Sequence, residues 1–387
     1  MKQVEMECDS PPWIPQELLR SIFKRLPVRT LIKWQCVCKD WKDLLNGPSF
    51  IQEHLEYSGH ENPSLLFCFP TIHETREFCT VDSEMQVLPV ESLPLIEFLR
   101  NAIVIGSING LVCVKSNCKF KPNDNFINII LWNPAISKFR VLTKESNFFV
   151  NMGFGFCSIG GDYKVVIITY HSYAWTSWIH QVEVFSLSTY SWKKVEFGRL
   201  LDGVQIPFDG FGTNGAIFWS AYNGNGHFLV SYCIATEEFA LIPSPISATE
   251  LSHFLRCRLS VYDNKLALLS RTTSGNFEYT LIDLWVMEER KDSISEKRWS
   301  WTKKYSVKHP YDLHPSLVWR NMIVCKYFEV LREGNNVSKC IVDGVVLVNL
   351  TTYELKRFTF RRYGVDFEVF NYVESLIPVD QIHIKEL

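Results

Sequence analysis

"NIILWNPAISKFRVL", residues 128–142, decides how most of this chain is read. A run of branched aliphatics breaks at Asn133-Pro134 and resumes as a second apolar run after a short polar turn, the pattern of two strands joined by a tight connection. It returns as "QVEVFSLSTYSWKKVE" (181–196), "FLVSYCIATEEFALIP" (228–243) and "GVVLVNLTTYELKRFTF" (344–360). Another apolar strand precedes each copy: "NGLVCV", "GDYKVVIITY", "NGAIFWSAY" and "MIVCKYF". "NKLALLS", "YTLIDLWVM" and "RWSWTKKYSV" form an equivalent set with a longer insertion, and "LLFCF", "EFCTVD" and "MQVLPV" a first, more divergent one. Six copies recurring at roughly 45–60 residues predict a six-bladed β-propeller. The tail "FNYVESLIPV" (370–379) is placed to add a strand to the first copy and close the ring. A β-sandwich is the rival architecture for so many short strands.

The connections within a copy fall into two kinds. The turns "AISK", "SLSTYS", "ATEE" and "TTYE" are short and alike, as a scaffold requires. The connections "KSNCKFKPNDN", "HSYAWTSWIH", "NGNGH", "TTSGNF" and "REGNNVSK" vary in length and chemistry. Variable loops on a rigid frame are where recognition is expected. Tyr173, Trp175 and Trp178 stand out, because exposed aromatics bury much area while fixing few torsions. His227 and Arg271 are further candidates on the same set of loops for contact with a partner.

Composition narrows the classes of partner. Forty basic residues against 42 acidic ones give a net charge of −2. There is no overall electrostatic footprint for nucleic acid or an anionic membrane. With 47% apolar and 14% aromatic residues, a large buried core is expected. No apolar signal region opens the chain and no long apolar span follows, which leads to the expectation of a cytoplasmic or nuclear protein. Its 12 cysteines are then expected as thiols, most of them small core groups within strand-like runs.

Residues 13–55 read differently. Leu18, Leu19, Ile22, Phe23 and Leu26 trace one helical stripe, which Pro27 interrupts. Val28, Leu31, Ile32, Trp34 and Val37 begin a second run, and Trp41, Leu44 and Leu45 a third that stops at Asn46-Gly47-Pro48. Three short helices in roughly 40 residues cannot bury all of this apolar surface alone. Cys36 and Cys38 lack a second ligand pair at zinc-site spacing, so no metal is expected. The basic residues alternate with Glu17, Asp40 and Asp43, which speaks for a solvated face rather than a DNA-reading helix. A partner protein is the remaining way to cover the stripe.

The stretch "WIPQELLRSIFKRLPVRTLIKWQCVCKDWKDLLNGPSFIQEHL" (13–55) resembles an F-box, with Ile14 where Leu is common and Cys38 where Ser is common. The segments "LWNPAISKFRVL", "GFGFCSIGGDYKVV", "VEVFSLSTYSWKKV", "NGAIFW" and "NYVESL" resemble the F-box-associated, kelch-like region of plant F-box proteins. The resemblance implies a multidomain chain: an F-box of three short helices at 13–55, a linker at 56–63, and an all-β, six-bladed propeller at 64–379. It further implies docking on a Skp-type adaptor, and through it a cullin, by Pro15, Leu18, Leu19, Ile22, Leu26, Pro27, Val28, Leu31, Val37, Cys38 and Trp41. The implied function is the substrate-recognition subunit of an SCF ubiquitin ligase, bringing an unidentified client to the ligase by proximity.

Catalytic patterns do not compete. Gly210-Phe-Gly-Thr-Asn-Gly215 spells a dinucleotide fingerprint, but a strand follows where a helix is required, so a turn is expected and no cofactor. No nucleophile elbow, Walker loop or HExxH zinc motif is present. A propeller enzyme with a helical appendage and a scaffold that degrades nothing remain the alternative readings.

Overall fold

The computed structural model describes residues 14–71, 75–90, 102–116, 126–145, 149–170, 179–223, 226–246, 257–273, 279–291, 297–333, 336–358 and 367–379. Four helices come first: α1 (Gln16–Phe23), α2 (Val28–Trp34), α3 (Lys39–Asn46) and α4 (Pro48–Glu61). The carbonyls of Pro15 and Pro27 accept the first helical N–H bonds of α1 and α2. Pro48 occupies the first turn of α4, where a missing N–H costs nothing. The expected linker at 56–63 is corrected by α4, which runs through it to Glu61. Phe50, His54, Leu55 and Ser58 are buried along α4, so the helix continues as long as it has a face to cover.

Six four-stranded sheets follow in the six-bladed arrangement expected. The first contains β1 (Ser64–Pro70), β2 (Arg76–Val81) and β3 (Val87–Pro89). The second is β4 (Ile103–Ile108), β5 (Leu111–Ser116), β6 (Phe126–Asn133) and β7 (Lys138–Glu145). The third is β8 (Phe149–Cys157), β9 (Asp162–Tyr170), β10 (Ile179–Ser186) and β11 (Ser191–Val195). β12 (Phe211–Thr213), β13 (Ala216–Asn223), β14 (Gly226–Cys233) and β15 (Glu238–Pro243) make the fourth. β16 (Cys257–Tyr262), β17 (Lys265–Thr273), β18 (Thr280–Lys291) and β19 (Lys297–His309) make the fifth. The sixth is β20 (Leu313–Trp319), β21 (Met322–Glu333), β22 (Asn336–Asn349) and β23 (Leu355–Phe358). The last strand, β24 (Glu368–Tyr372), pairs with β1 and completes the first sheet.

Turn chemistry explains the regularity. The first hairpins of the second and fourth sheets turn on Asn109-Gly110 and Asn214-Gly215, with all four residues at positive φ. This is the two-residue turn whose twist matches a right-handed strand pair. The dinucleotide-like glycine pattern is therefore part of a hairpin, as the sequence led us to expect. The second hairpins place Ser137, Tyr190, Glu237 and Tyr353 at one equivalent left-handed position, which gives the four similar turns a common backbone.

The chain divides into two compact units: the helices with the first two sheets and the C-terminal segment, and the other four sheets. In the first unit, Leu66, Phe78, Val112, Ile130, Trp132 and Tyr372 share one core. Phe78 meets Trp132 edge-on, with ring centroids 5.0 Å apart. In the second unit, Trp219 is fully buried and donates to the Met152 carbonyl at 3.2 Å. A Cβ on Gly153 or Gly210 would stand 2.6 Å or less from this indole or from Ile217, so both glycines are required by space.

One buried side chain organises the C-terminal segment of the first unit. The Asn133 amide, with no exposed surface, donates to the carbonyls of Ser375 at 3.0 Å and Ile377 at 2.9 Å, and to Ser375 Oγ at 3.2 Å. Its Oδ1 accepts from Ala135 N at 3.1 Å and starts the short 3-10 turn Pro134–Ile136. Gly110, at φ +81, lies so close that a Cβ there would sit 2.4 Å from Ser375 Oγ. Asn133→Ala takes the donor from the buried Ser375 carbonyl and the half-buried Ile377 carbonyl and should cost about 2–4 kcal/mol in urea unfolding of the full chain. A loss below about 0.5 kcal/mol would show that the segment does not depend on this amide.

Candidate functional site

The helices make one small core from Phe23, Val28, Leu31, Leu44, Leu45 and Phe50. Phe23, Trp34 and Trp41 form a ring cluster with centroids 5.0–5.4 Å apart. Arg20 fastens α1 to α4, donating to Glu53 Oε1 at 2.8 Å and Ser49 Oγ at 3.1 Å. His54 lies beneath the α1–α2 turn with Nε2 3.0 Å from the Leu26 carbonyl, a contact that requires the proton on Nε2. Burial lowers its pKa, opposed by that carbonyl and by Glu374.

This core is not closed by the helices alone. Leu376 belongs to it, and Ala135 and Ile136 of the 3-10 turn pack against it. Glu374 Oε2 accepts from Val28 N at 3.2 Å, satisfying one donor left open at the start of α2. Part of the apolar surplus inferred from the sequence is therefore covered by the same chain.

What remains uncovered is specific. Leu18, Ile22 and Val37 are 56%, 50% and 55% exposed. Leu18 and Ile22 are four residues apart on α1 and therefore share a face. Pro15 and Pro27 are also exposed, and Leu19, Leu26, Cys38 and Trp41 are half-buried. Val28 and Leu31 are corrected: with no exposed surface, they serve the internal core and have none to offer a partner. Beside this surface an open groove of about 570 Å³ runs between Leu19, Trp41, Leu44, Gly47 and Ser49. Cys36 is exposed and Cys38 half-buried, both as free thiols.

The variable connections lie elsewhere in each sheet. Alternating strand direction puts the first and second hairpin turns at one end and the connections between second and third strands at the other. In the second sheet, the helices contact the hairpin-turn end, through Ala135 and Ile136. Tyr173, Trp175 and Trp178 lie outside the described residues. His227 and Arg271 are both at the variable-connection end, but neither is a free surface group. His227 Nδ1 is 2.9 Å from Ser244 Oγ, and burial pushes its pKa down to about 4. Arg271, its side chain only 10% exposed, is paired with Asp312 at the start of the sixth sheet. Both are half-buried and engaged by their own chain, which leaves only part of each surface for a client.

Two family models cover this architecture. Residues 14–54 match the F-box-like family, and residues 61–382 match the F-box associated beta propeller domain. The chain belongs to the F-box proteins with an associated β-propeller. Among curated relatives, the F-box protein CPR1 of Arabidopsis thaliana is 25% identical over 84% of this chain and 80% of its own length. A putative F-box protein of the same plant is 27% identical over 74% of this chain and 76% of its own. Another is 25% identical over 95% and 98%. The Trp-Asn-Pro signature of this F-box protein has a physical basis in the intersheet tryptophan and the amide that anchors the C-terminal segment.

Sequence reasoning missed Glu374 and Leu376 as parts of the helical core, because no local pattern links them to residues some 345 positions earlier. A pH dependence follows from the histidines. Between about pH 6.5 and pH 4 the unfolded chain binds a proton at His227 that the folded chain excludes, so stability falls as pH drops through this window. The pKa values of His54 and His309 are lowered in the same direction. Melting temperatures recorded from pH 7 to 4.5 should fall, and His227→Gln should flatten that fall; an unchanged slope in the variant would contradict the assignment.

Proposed function

We propose that this F-box protein is the substrate-recognition subunit of an SCF-type ubiquitin ligase. The exposed aliphatic group of Leu18, Ile22 and Val37 carries the reading: it stands on helices whose opposite side is already occupied by their own core and by Leu376. A Skp-type adaptor would cover it, and a cullin would join through that adaptor. The propeller would hold a client protein at the variable-connection ends of its sheets. The contribution to ubiquitin transfer would be proximity, with no bond made or broken by this chain. The protein would work in the cytosol or nucleus, where its free thiols stay reduced.

The test is capture of a recombinant Skp-type adaptor and cullin by the purified full-length chain. Wild type should capture both. Leu18→Asp with Ile22→Asp removes two buried aliphatic contacts, roughly 3 kcal/mol or more, and should weaken capture at least about 100-fold. Because both positions are exposed, the melting temperature should stay within about 2 °C of wild type. A wild-type chain that captures no adaptor would overturn the proposal.

A further inference from the structure

The residues that complete the helical core arrive on the strand that completes the first sheet. β24 pairs with β1, and from Tyr372 the chain runs straight into residues 373–377. The second sheet then fixes that segment. Asn133, at the end of β6, donates to the carbonyls of Ser375 and Ile377, and Gly110, in the β4–β5 hairpin, leaves no room for a Cβ beside Ser375. Leu376 follows Tyr372 by four residues, a span of at most about 14 Å in a fully extended chain. Moving β24 away from β1 by more than that withdraws Leu376 from the core it shares with Phe23, Val28, Leu31, Leu44, Leu45 and Phe50.

The exposed aliphatic group is composite. Leu18 and Ile22 stand on α1, and Val37 on the turn after α2, so its shape depends on a fixed relation between the two helices. Two residues of the segment support that relation from beneath. Leu376, only 6% exposed, packs in the core that α1 and α2 share, and Glu374 Oε2 accepts from Val28 N at the start of α2. Neither belongs to the exposed group itself. A helical module of this size is marginal without a cover, so removing the cover populates arrangements in which the group is broken up. A partner that recognises only the intact arrangement then binds more weakly in proportion to the fraction lost.

We infer that adaptor docking is conditional on closure of the first sheet: the helices present their adaptor face only while β24 is paired with β1, with Glu374 and Leu376 as positioning residues. The inference rests on the receptor reading above. Because β24 is synthesised long after the helices, a chain whose first sheet is still open would not enter the ligase. Linkage makes the coupling reciprocal, so an adaptor bound at α1 holds β24 in place. The test uses the full-length chain and a recombinant Skp-type adaptor. In the wild-type chain, saturating adaptor should slow amide exchange in β24 at least about 5-fold and leave β13 and β14 of the larger unit unchanged. Phe370 packs in the sheet core rather than the helical one, and Phe370→Pro breaks the β24 ladder. This variant should bind adaptor at least about 10-fold more weakly with β13 and β14 still protected; if it does not fold, the wild-type exchange and the Glu374 variants decide. Glu374→Ala should weaken binding at least about 5-fold, whereas Glu374→Gln, which keeps an acceptor for Val28 N, should stay within about 2-fold of wild type. Wild-type affinity in folded Phe370→Pro or in Glu374→Ala, or β24 exchange that bound adaptor leaves unchanged, would overturn the inference while the receptor reading stood. A wild-type chain that captures no adaptor would overturn both.

Discussion

A single stretch of backbone, Val373 to Ile377, holds the first compact unit together. It follows directly from the ring-completing strand β24, is gripped by the Asn133 amide, fits against Gly110, and sends Leu376 into the helical core. Glu374 in the same stretch caps α2. Five consecutive residues thus couple the pairing of β24 with β1 to the integrity of the helices. Losing the Asn133, Glu374 or Leu376 contact leaves carbonyls or the Val28 N–H without a partner, or a cavity in a core of only about seven buried apolar side chains.

This coupling changes what the helical module is. A helical domain of such size normally needs a metal, a disulfide or a partner to close its core. Here the C-terminal segment supplies the first cover, and the aliphatic group on α1 and the turn after α2 is what remains for a second. The adaptor surface proposed on this frame is confined to residues that the C-terminal segment does not cover. Leu18, Ile22 and Val37 satisfy that condition, whereas Val28 and Leu31 do not.

Much of the architecture was legible in the sequence. Second and third strands announced themselves because they are long and apolar, fourth strands through the short, similar turns that precede them, and the helical stripe marked the F-box. First strands were harder: β12 has three residues, and the pairings of β4 and β20 carry register shifts that break clean alternation. The fourth helix went unread because His54 and Ser58, two of the four residues on its buried face, are polar and interrupt the apolar stripe. For the candidate site, the sequence identified apolar residues on α1 and α2 but not which of them the same chain would cover. The role of Asn133 was visible only as a Trp-Asn-Pro signature, since the carbonyls it serves lie 242 and 244 residues away. His227 and Arg271 fall at the variable-connection ends of their sheets, and nothing in the sequence signals that each is engaged by its own chain.

The dependence of the helical core on the C-terminal segment is most directly measured by hydrogen exchange. Amide protection across α2 and α3 would be compared between the wild-type chain and Leu376→Asp. The account predicts that the substitution accelerates exchange in both helices at least about 10-fold while β5 and β6 keep their protection. Unchanged exchange in α2 and α3 would contradict it, because the helices would then be closing their core without help from the propeller.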